Sequence, residues 1–264
     1  AWTVSFSEHV ETMTLSRCGG MMFLGVGKKV TALDWATQTL LWECRREDEV
    51  RSITLAQPYG DTLFVAGFDS MVAEIHATTG HVLWNTKLLG PKYSVSCSPC
   101  GQFIVAGGAD STATRLDVAS FDSTHQSRVH DLNGESSRGF ALHPDGATFV
   151  AYKTGCATKV DVATGKEVWE VQLKQAGCFG CAFSPCGERV AFAQYDNCFT
   201  VVDYETGKPV LQVDVSAWQC AVSFFPDNKF IAVASDNSSV LKIDAKTGAS
   251  VWSSEPLGAD SMTV

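Results

Sequence analysis

Two pairs of cysteines stand at spacings that metal sites use, which makes them the first candidates for chemistry in this chain. The pairs are Cys97-Ser-Pro-Cys100 and Cys178-Phe-Gly-Cys181, and Cys186 follows closely. Four thiolates around one ion would make a strong zinc site. However, Cys100 and Cys186 occupy the same position in two copies of a repeated turn sequence, SPCGQ and SPCGE. Cys178 and Cys181, three apart on a predicted strand, are expected to point to opposite faces. The sequence therefore favours reduced, partly buried thiols over a metal site.

Histidines and carboxylates offer no catalytic constellation either. The six histidines contain no His-x-His motif, and the chain has neither a Gly-x-Ser-x-Gly motif nor a phosphate-binding P-loop. Several predicted strands end in an aspartate, and we expect these carboxylates to accept hydrogen bonds from the turns that follow. The sequence predicts no catalytic residue, no metal and no cofactor.

A sequence motif recurs about every 41 residues and is clearest in residues 159–197. It comprises a strand ending in aspartate, a Thr-Gly turn, a strand with a tryptophan, an apolar strand, a Ser-Pro-x-Gly turn and a further strand. In the last turn, proline presets the first corner, and Gly or Asn accepts a positive φ. Copies of that turn read SRCGG at 16–20, QPYGD at 57–61, SPCGQ at 98–102, HPDGA at 143–147, SPCGE at 184–188 and FPDNK at 225–229. A period of this length with four strands per copy is typical of a propeller.

The predicted fold is accordingly an all-β, four-stranded-blade β-propeller formed by a single domain, residues 1–264. Alternating or apolar runs such as TLFVAGF and KFIAVAS indicate strands throughout. Six full repeats are expected at about 10–47, 48–90, 91–133, 134–175, 176–217 and 218–257. Residues 2–6 and 260–264 read as an outer and an inner strand of a closing blade, which predicts seven blades, with six as the alternative.

The composition of the chain limits which binding partners and which cellular location are expected. The formal net charge of −9 disfavours nucleic acid, whose phosphates would be repelled. The chain contains no run of 18 apolar residues, so no membrane insertion is predicted, and no signal-peptide pattern is present. A cytoplasmic location is the expectation, with reduced cysteines.

The phrase SPCGERVAFAQYDNCFTVVDYETGK resembles the WD-repeat family of β-propellers. The resemblance lies in the Ser-Pro-x-Gly turn, an aspartate before the third strand, and an apolar-Asp ending of that strand. The aspartate before the third strand appears as Asp69, Asp110, Asp196 and Asp236. The Trp-Asp and Gly-His pairs of the family are missing, so the resemblance is to a divergent member. It implies a propeller that serves as a binding platform.

A weaker similarity is to the repeat of quinoprotein-type propellers. Its pattern, A-x-D-x-x-T-G-x-x-x-W, is present from Ala32 to Trp42 apart from Gln38. This similarity implies that the tryptophans dock neighbouring blades, and it names quinone-dependent oxidation as the enzymatic alternative. No cluster of acidic, basic and calcium-binding residues can be recognised for a quinone.

Two groups of residues are candidates for a partner-binding surface. Loops leading into the innermost strands should gather at one mouth of the ring, and they carry aromatic and basic types that often anchor interfaces. These residues are Arg51, Lys92, Tyr93, Arg138, Phe179 and Trp218. The second group is His125, Arg128 and His130, in an irregular stretch at 118–138 that interrupts the repeat. A solvated face and a degenerate outer strand are the plain alternatives.

From these features we expect a non-catalytic scaffold that binds other proteins as a subunit of a larger assembly. The alternative is a quinoprotein-like enzyme or a small-molecule binder.

Overall fold

A computed structural model describes residues 6–120, 126–131, 139–153, 155–173, 178–194, 197–215, 219–235 and 239–254. Within these residues the chain forms twenty-four strands in six antiparallel four-stranded sheets. The fold is a β-propeller of four-stranded blades, as predicted. Each of the six repeats recognised in the sequence contains one sheet. The described count of six matches the alternative prediction, and residues 2–5 and 260–264, assigned to a seventh blade, lie outside the described residues.

The chain divides into two compact units, of which the first is Ala1–Ser136 with three sheets. Its strands are β1 Val10–Leu15, β2 Met21–Val26, β3 Lys29–Asp34, β4 Leu40–Arg45, β5 Val50–Leu55, β6 Thr62–Gly67, β7 Met71–His76, β8 Val82–Lys87, β9 Lys92–Cys97, β10 Phe103–Gly108, β11 Thr112–Asp117 and β12 Gln126–Asp131. A single 3-10 turn, Val118–Ser120, follows β11.

The second unit is Ser137–Val264, also with three sheets. Its strands are β13 Gly139–Leu142, β14 Thr148–Lys153, β15 Cys156–Asp161, β16 Glu167–Gln172, β17 Cys178–Phe183, β18 Arg189–Gln194, β19 Cys198–Asp203, β20 Pro209–Asp214, β21 Gln219–Phe224, β22 Phe230–Ser235, β23 Val240–Asp244 and β24 Ser250–Ser253. Strands β2 and β6 of the first unit, and β18 and β19 of the second, are almost continuously buried.

Turns between first and second strands form as the sequence predicts. Gly101 has a φ of 70°, and its amide donates to the Ser98 carbonyl at 2.8 Å. The Ser98 hydroxyl accepts a hydrogen bond from the amide of Phe103 at 3.1 Å, which fastens the turn to the next strand. Asn228 replaces the glycine in the last copy and takes a φ of 59°. The residue types at these corners are therefore dictated by backbone geometry.

Aspartates that end the third strands accept hydrogen bonds from the following threonines, which confirms that prediction. Oδ1 of Asp161 accepts from the Thr164 amide at 2.7 Å and from its hydroxyl at 2.7 Å. The same two bonds join Asp203 to Thr206. Hydrogen bonds from the Thr164 hydroxyl and amide hold the pKa of Asp161 below its ordinary value. These carboxylates shape turns and are dispersed over several blades.

Tryptophans of the fourth strands dock onto the next blade within each unit. Nε1 of Trp42 donates to the Ala77 carbonyl at 2.9 Å, and Nε1 of Trp169 donates to the Tyr204 carbonyl at 3.0 Å. The ring of Trp42 lies over Gly80, where an added Cβ would stand 2.6 Å from Cε3. The prediction that tryptophans dock neighbouring blades is confirmed for these two positions.

His143 extends the docking in the second unit. The sequence assigns it to a turn, and its carbonyl does accept from the Gly146 amide at 2.8 Å. Its ring also stacks on Tyr204 of the next blade, with centroids 4.2 Å apart and planes within 5°. Lys159 completes the cluster, because its Nζ lies 3.8 Å above the Tyr204 ring. One turn residue thus joins two blades.

Replacing Gly80 with alanine should lower the free energy of unfolding. The positive φ of 71° alone costs an alanine about 1–2 kcal/mol, and displacement of the Trp42 ring should add about 1–3 kcal/mol. Gly19→Ala is the matched control, because Gly19 also has a φ of 71° but would meet no atom within 4 Å. Denaturant unfolding should show the larger loss for G80A. Equal losses would mean that the contact with Trp42 contributes nothing.

Candidate functional site

Each first strand of the first unit carries a β-bulge at its second residue. In β1 the pairing passes from Val10 to Thr12, and in β5 it passes from Val50 to Ser52. In β9 it passes from Lys92 to Ser94. The residues left out of the ladders are Glu11, Arg51 and Tyr93. A bulge re-aims the residue that it leaves unpaired, so these three side chains are presented apart from the pleat of their sheets.

The three bulge residues are linked in one row of side-chain contacts, in which Phe68 lies between Arg51 and Tyr93. Nη1 of Arg51 lies 2.6 Å from Oε2 of Glu11. The Arg51 guanidinium carbon stands 5.1 Å from the centre of the Phe68 ring. Phe68 in turn packs edge-to-face on Tyr93, with centroids 5.6 Å apart. We call Glu11, Arg51, Phe68 and Tyr93 the bulge surface. All four side chains are partly exposed, so the row combines fixed packing with access to solvent.

A close backbone approach holds the bulges in place. The amide of Phe68 donates to the Glu49 carbonyl at 2.9 Å. A Cβ added at the neighbouring Gly67 would stand 2.2 Å from the same carbonyl oxygen. Any larger residue at position 67 would therefore push away the loop that leads into Arg51. The glycine permits the loop to rest on β6.

Two buried ion pairs adjoin this surface in sequence, since Lys92 precedes Tyr93 and Asp69 follows Phe68. Nζ of Lys92 lies 2.5 Å from Oδ2 of Asp110, and the lysine side chain is fully buried. Desolvation lowers the pKa of Lys92 below its ordinary value, and Asp110 opposes that shift. Nη2 of Arg46 lies 2.8 Å from Oδ2 of Asp69, with side chains 7% and 2% exposed. Removing one member of such a pair typically costs about 3–5 kcal/mol, because a buried charge is left alone.

A pocket of about 380 Å³ opens in the first unit. Its lining is mostly basic and consists of Glu8, Lys28, Lys29, Arg45 and Arg46. Gly27 introduces the Lys28-Lys29 turn with a φ of 50°. We call this cavity the basic pocket. Sequence reasoning missed it, and the only signal was the pair of basic dipeptides at 28–29 and 45–46.

A protein-family model described as "Outer membrane protein assembly factor BamB", a quinoprotein-type propeller repeat, matches residues 1–114 and 153–263. The chain belongs to this family. It is also similar to "WD repeat-containing protein SL1-17" of Schistosoma mansoni, at 24% identity over 157 residues, or 59% of this chain and 51% of that protein. The chain thus spans about half the length of the curated relative that it matches. Both resemblances inferred from the sequence are confirmed.

Among solved structures, hydrazine synthase of Kuenenia stuttgartiensis aligns with a TM-score of 0.79 at 16% identity. The alignment covers 92% of this chain and 78% of that chain. A likeness at this identity shows the shared propeller fold alone. Within the described residues, no helix is long and apolar enough to cross a membrane.

Of the nine residues predicted to bind a partner, two belong to the bulge surface. Arg51 and Tyr93 are brought together there through Phe68, which sequence reasoning did not name. Lys92 requires a correction, because its ammonium group is buried against Asp110 instead of facing a partner. The other six cannot be judged by their side chains. Arg138, Trp218 and His125 lie outside the described residues, and Arg128, His130 and Phe179 are placed only as backbone, in β12 and β17.

The cysteines also depart from expectation in one place. Cys178 and Cys181 do not separate to opposite faces, since both pack against the same hydrophobic cluster between two blades of the second unit. The pairing of β17 passes from Cys178 to Gly180, and this bulge removes one step from the alternation. In the part of the chain that is described, no group of three His, Cys, Asp or Glu side chains is placed to hold a metal ion.

Three other thiols, those of Cys18, Cys100 and Cys186, are exposed at the same place in three turns. Each sulfur lies 3.4 to 3.5 Å from a serine hydroxyl two residues earlier. Hydrogen bonding with the serine hydroxyl and with a backbone amide lowers the pKa values of Cys18 and Cys100. Burial raises those of Cys178 and Cys181.

Alkylation should therefore proceed in a fixed order. Brief treatment with iodoacetamide near neutral pH should label Cys18 and Cys100 first and Cys178 and Cys181 last, because the thiolate is the reactive form. Mass spectrometry of the digested protein measures the order. Denatured protein is the control and should label all four at similar rates. Early labelling of Cys178 in native protein would contradict the predicted burial.

Proposed function

We propose that this chain is a non-catalytic scaffold that binds another protein through the bulge surface, as a subunit of a larger assembly. The observation that carries the proposal is the connected row from Glu11 through Arg51 and Phe68 to Tyr93. Arginine and tyrosine are among the residues that contribute most at interfaces. Their present contacts restrict their side chains before binding, which reduces the entropy lost when a partner docks.

The family supports the same proposal in general terms. Its description names an assembly factor, and the curated relative is a WD-repeat protein. Neither name identifies a partner for this chain. Loops supported by a rigid sheet scaffold are common places for recognition, and all four residues lie at the ends of such strands.

Replacing Arg51 and Tyr93 together with alanine should weaken binding of the native partner about 30-fold or more, since even one interface anchor typically contributes about 2 kcal/mol or more. The partner is first identified by gentle purification of the intact protein from its source, followed by mass spectrometry of stoichiometric companions. Its affinity for the purified wild-type and variant chains is then measured by calorimetry.

The matched control is the double variant Arg115→Ala, Tyr59→Ala. Arg115 makes contacts of the same kind away from the bulges, 4.2 Å above Phe103 and 2.8 Å from Asp117. Tyr59 is an exposed tyrosine in a turn. Equal binding by the two double variants, or a protein that purifies without a companion, would contradict the proposal.

A cofactor-binding or enzymatic role is the second candidate. It is favoured by membership in a quinoprotein-type repeat family. Titration of the purified chain with pyrroloquinoline quinone and Ca²⁺ separates the two functions. Stoichiometric binding of the quinone would replace the scaffold proposal.

Two further features are proposed, the number of blades and the cellular location. We propose seven blades, because residues 2–6 precede Ser16 at nearly the spacing at which Trp169 precedes Ser184. A cryo-electron-microscopy map that shows a six-bladed ring would refute this count.

We also propose a cytoplasmic location, since exposed thiols such as Cys18 and Cys100 persist best in a reducing compartment. Trapping the thiols in intact cells tests it, and extensive oxidation would contradict it.

A further inference from the structure

We propose that the basic pocket of the first unit binds a phosphate dianion, either free or carried by a protein partner. Four of its five lining residues are basic, although the chain as a whole carries a formal charge of −9. Three of these bases are paired with Asp48, Glu43 and Asp69. The attraction for an anion therefore comes from Arg45 and from the lysines that can leave exposed pairs.

The state of each base supports this assignment. Arg45 is exposed, and within the described residues its guanidinium group has no hydrogen bond or ion pair. Lys28 is paired with Asp48 at 3.1 Å, and Lys29 is paired with Glu43 at 3.2 Å. All four of these paired side chains are at least partly exposed, and exposed pairs contribute little. Both lysines can therefore turn to an incoming anion at small cost.

Arg46 provides the buried donor. Its side chain is 7% exposed and lines the pocket. Nη2 lies 2.8 Å from Asp69 Oδ2, yet it makes no directed hydrogen bond there or elsewhere. Nη2 is itself buried, so its N–H can meet an acceptor oxygen of a ligand when the Arg46 side chain shifts toward the pocket that it lines.

The number of available cations favours a doubly charged ligand. Arg45 alone would neutralise one carboxylate, whereas Arg45 with Lys28 and Lys29 can neutralise a phosphate dianion. Guanidinium groups also match phosphate oxygens with two parallel hydrogen bonds. Glu8 is the single acid in the lining, and it sets a repulsive limit on the affinity.

Titration calorimetry with inorganic phosphate tests the site, and Arg45→Gln and Glu8→Gln are the informative variants. R45Q should weaken binding about tenfold or more, as expected for the loss of a charge-assisted contact, whereas E8Q should tighten it. Binding to the wild-type chain should weaken as salt is added. Lys208→Gln is the matched control, since it removes one exposed positive charge from the second unit and should leave the affinity unchanged.

The source of the phosphate is resolved by a second titration. A phosphoserine peptide that binds more tightly than inorganic phosphate, while its unphosphorylated parent does not bind, would assign the pocket to a modified protein partner. Equal affinities would assign it to a free anion. No binding of phosphate at millimolar concentration, or equal weakening by R45Q and K208Q, would overturn the proposal. Alanine variants at Arg51 and Tyr93 should leave phosphate binding intact, so this proposal and the scaffold proposal can fail separately.

Discussion

Blade docking depends on a contact in which the large side chain of a fourth strand lies on the glycine of the next blade's turn. Trp42 covers Gly80, and Trp169 covers Gly207 in the same way. Three conditions are met together: the glycine has no Cβ, its φ is positive, and a carbonyl nearby accepts the indole N–H. The blades are held at a fixed spacing as a result. The bulges of successive first strands can therefore meet.

The bulge surface and the basic pocket belong to one polar system. Phe68, at the centre of the bulge surface, is followed directly by Asp69, which pairs with Arg46 in the wall of the pocket. Asp110, at the equivalent place one blade further along, also pairs with a buried base, Lys92. Charges buried in this way fix the loops that carry the exposed side chains. Rigid loops lose less entropy on binding, which suits a recognition surface.

Sequence reasoning could predict the strands, the turns and the docking tryptophans, because each is determined by residues close together in the chain. The repeated sequence motif alone determines the positions of Ser98, Asp161 and Trp42 in their blades. The errors lie where pairing register or burial decides. A bulge at 179 places Cys178 and Cys181 on one cluster, and burial beside Asp110 removes Lys92 from the surface. The basic pocket joins residues from separate turns and strands, so its members were not recognisable as a set.

The bulges also bear on how such a protein changes over evolutionary time. A residue left out of a strand ladder makes no cross-strand pair through its own backbone, so Glu11, Arg51 and Tyr93 are released from the demands that pairing places on their neighbours. An acid, a base and an aromatic stand at these equivalent places on three blades of similar design. The ladder positions can remain constant while the bulge positions diversify, and a new specificity can arise without a new fold.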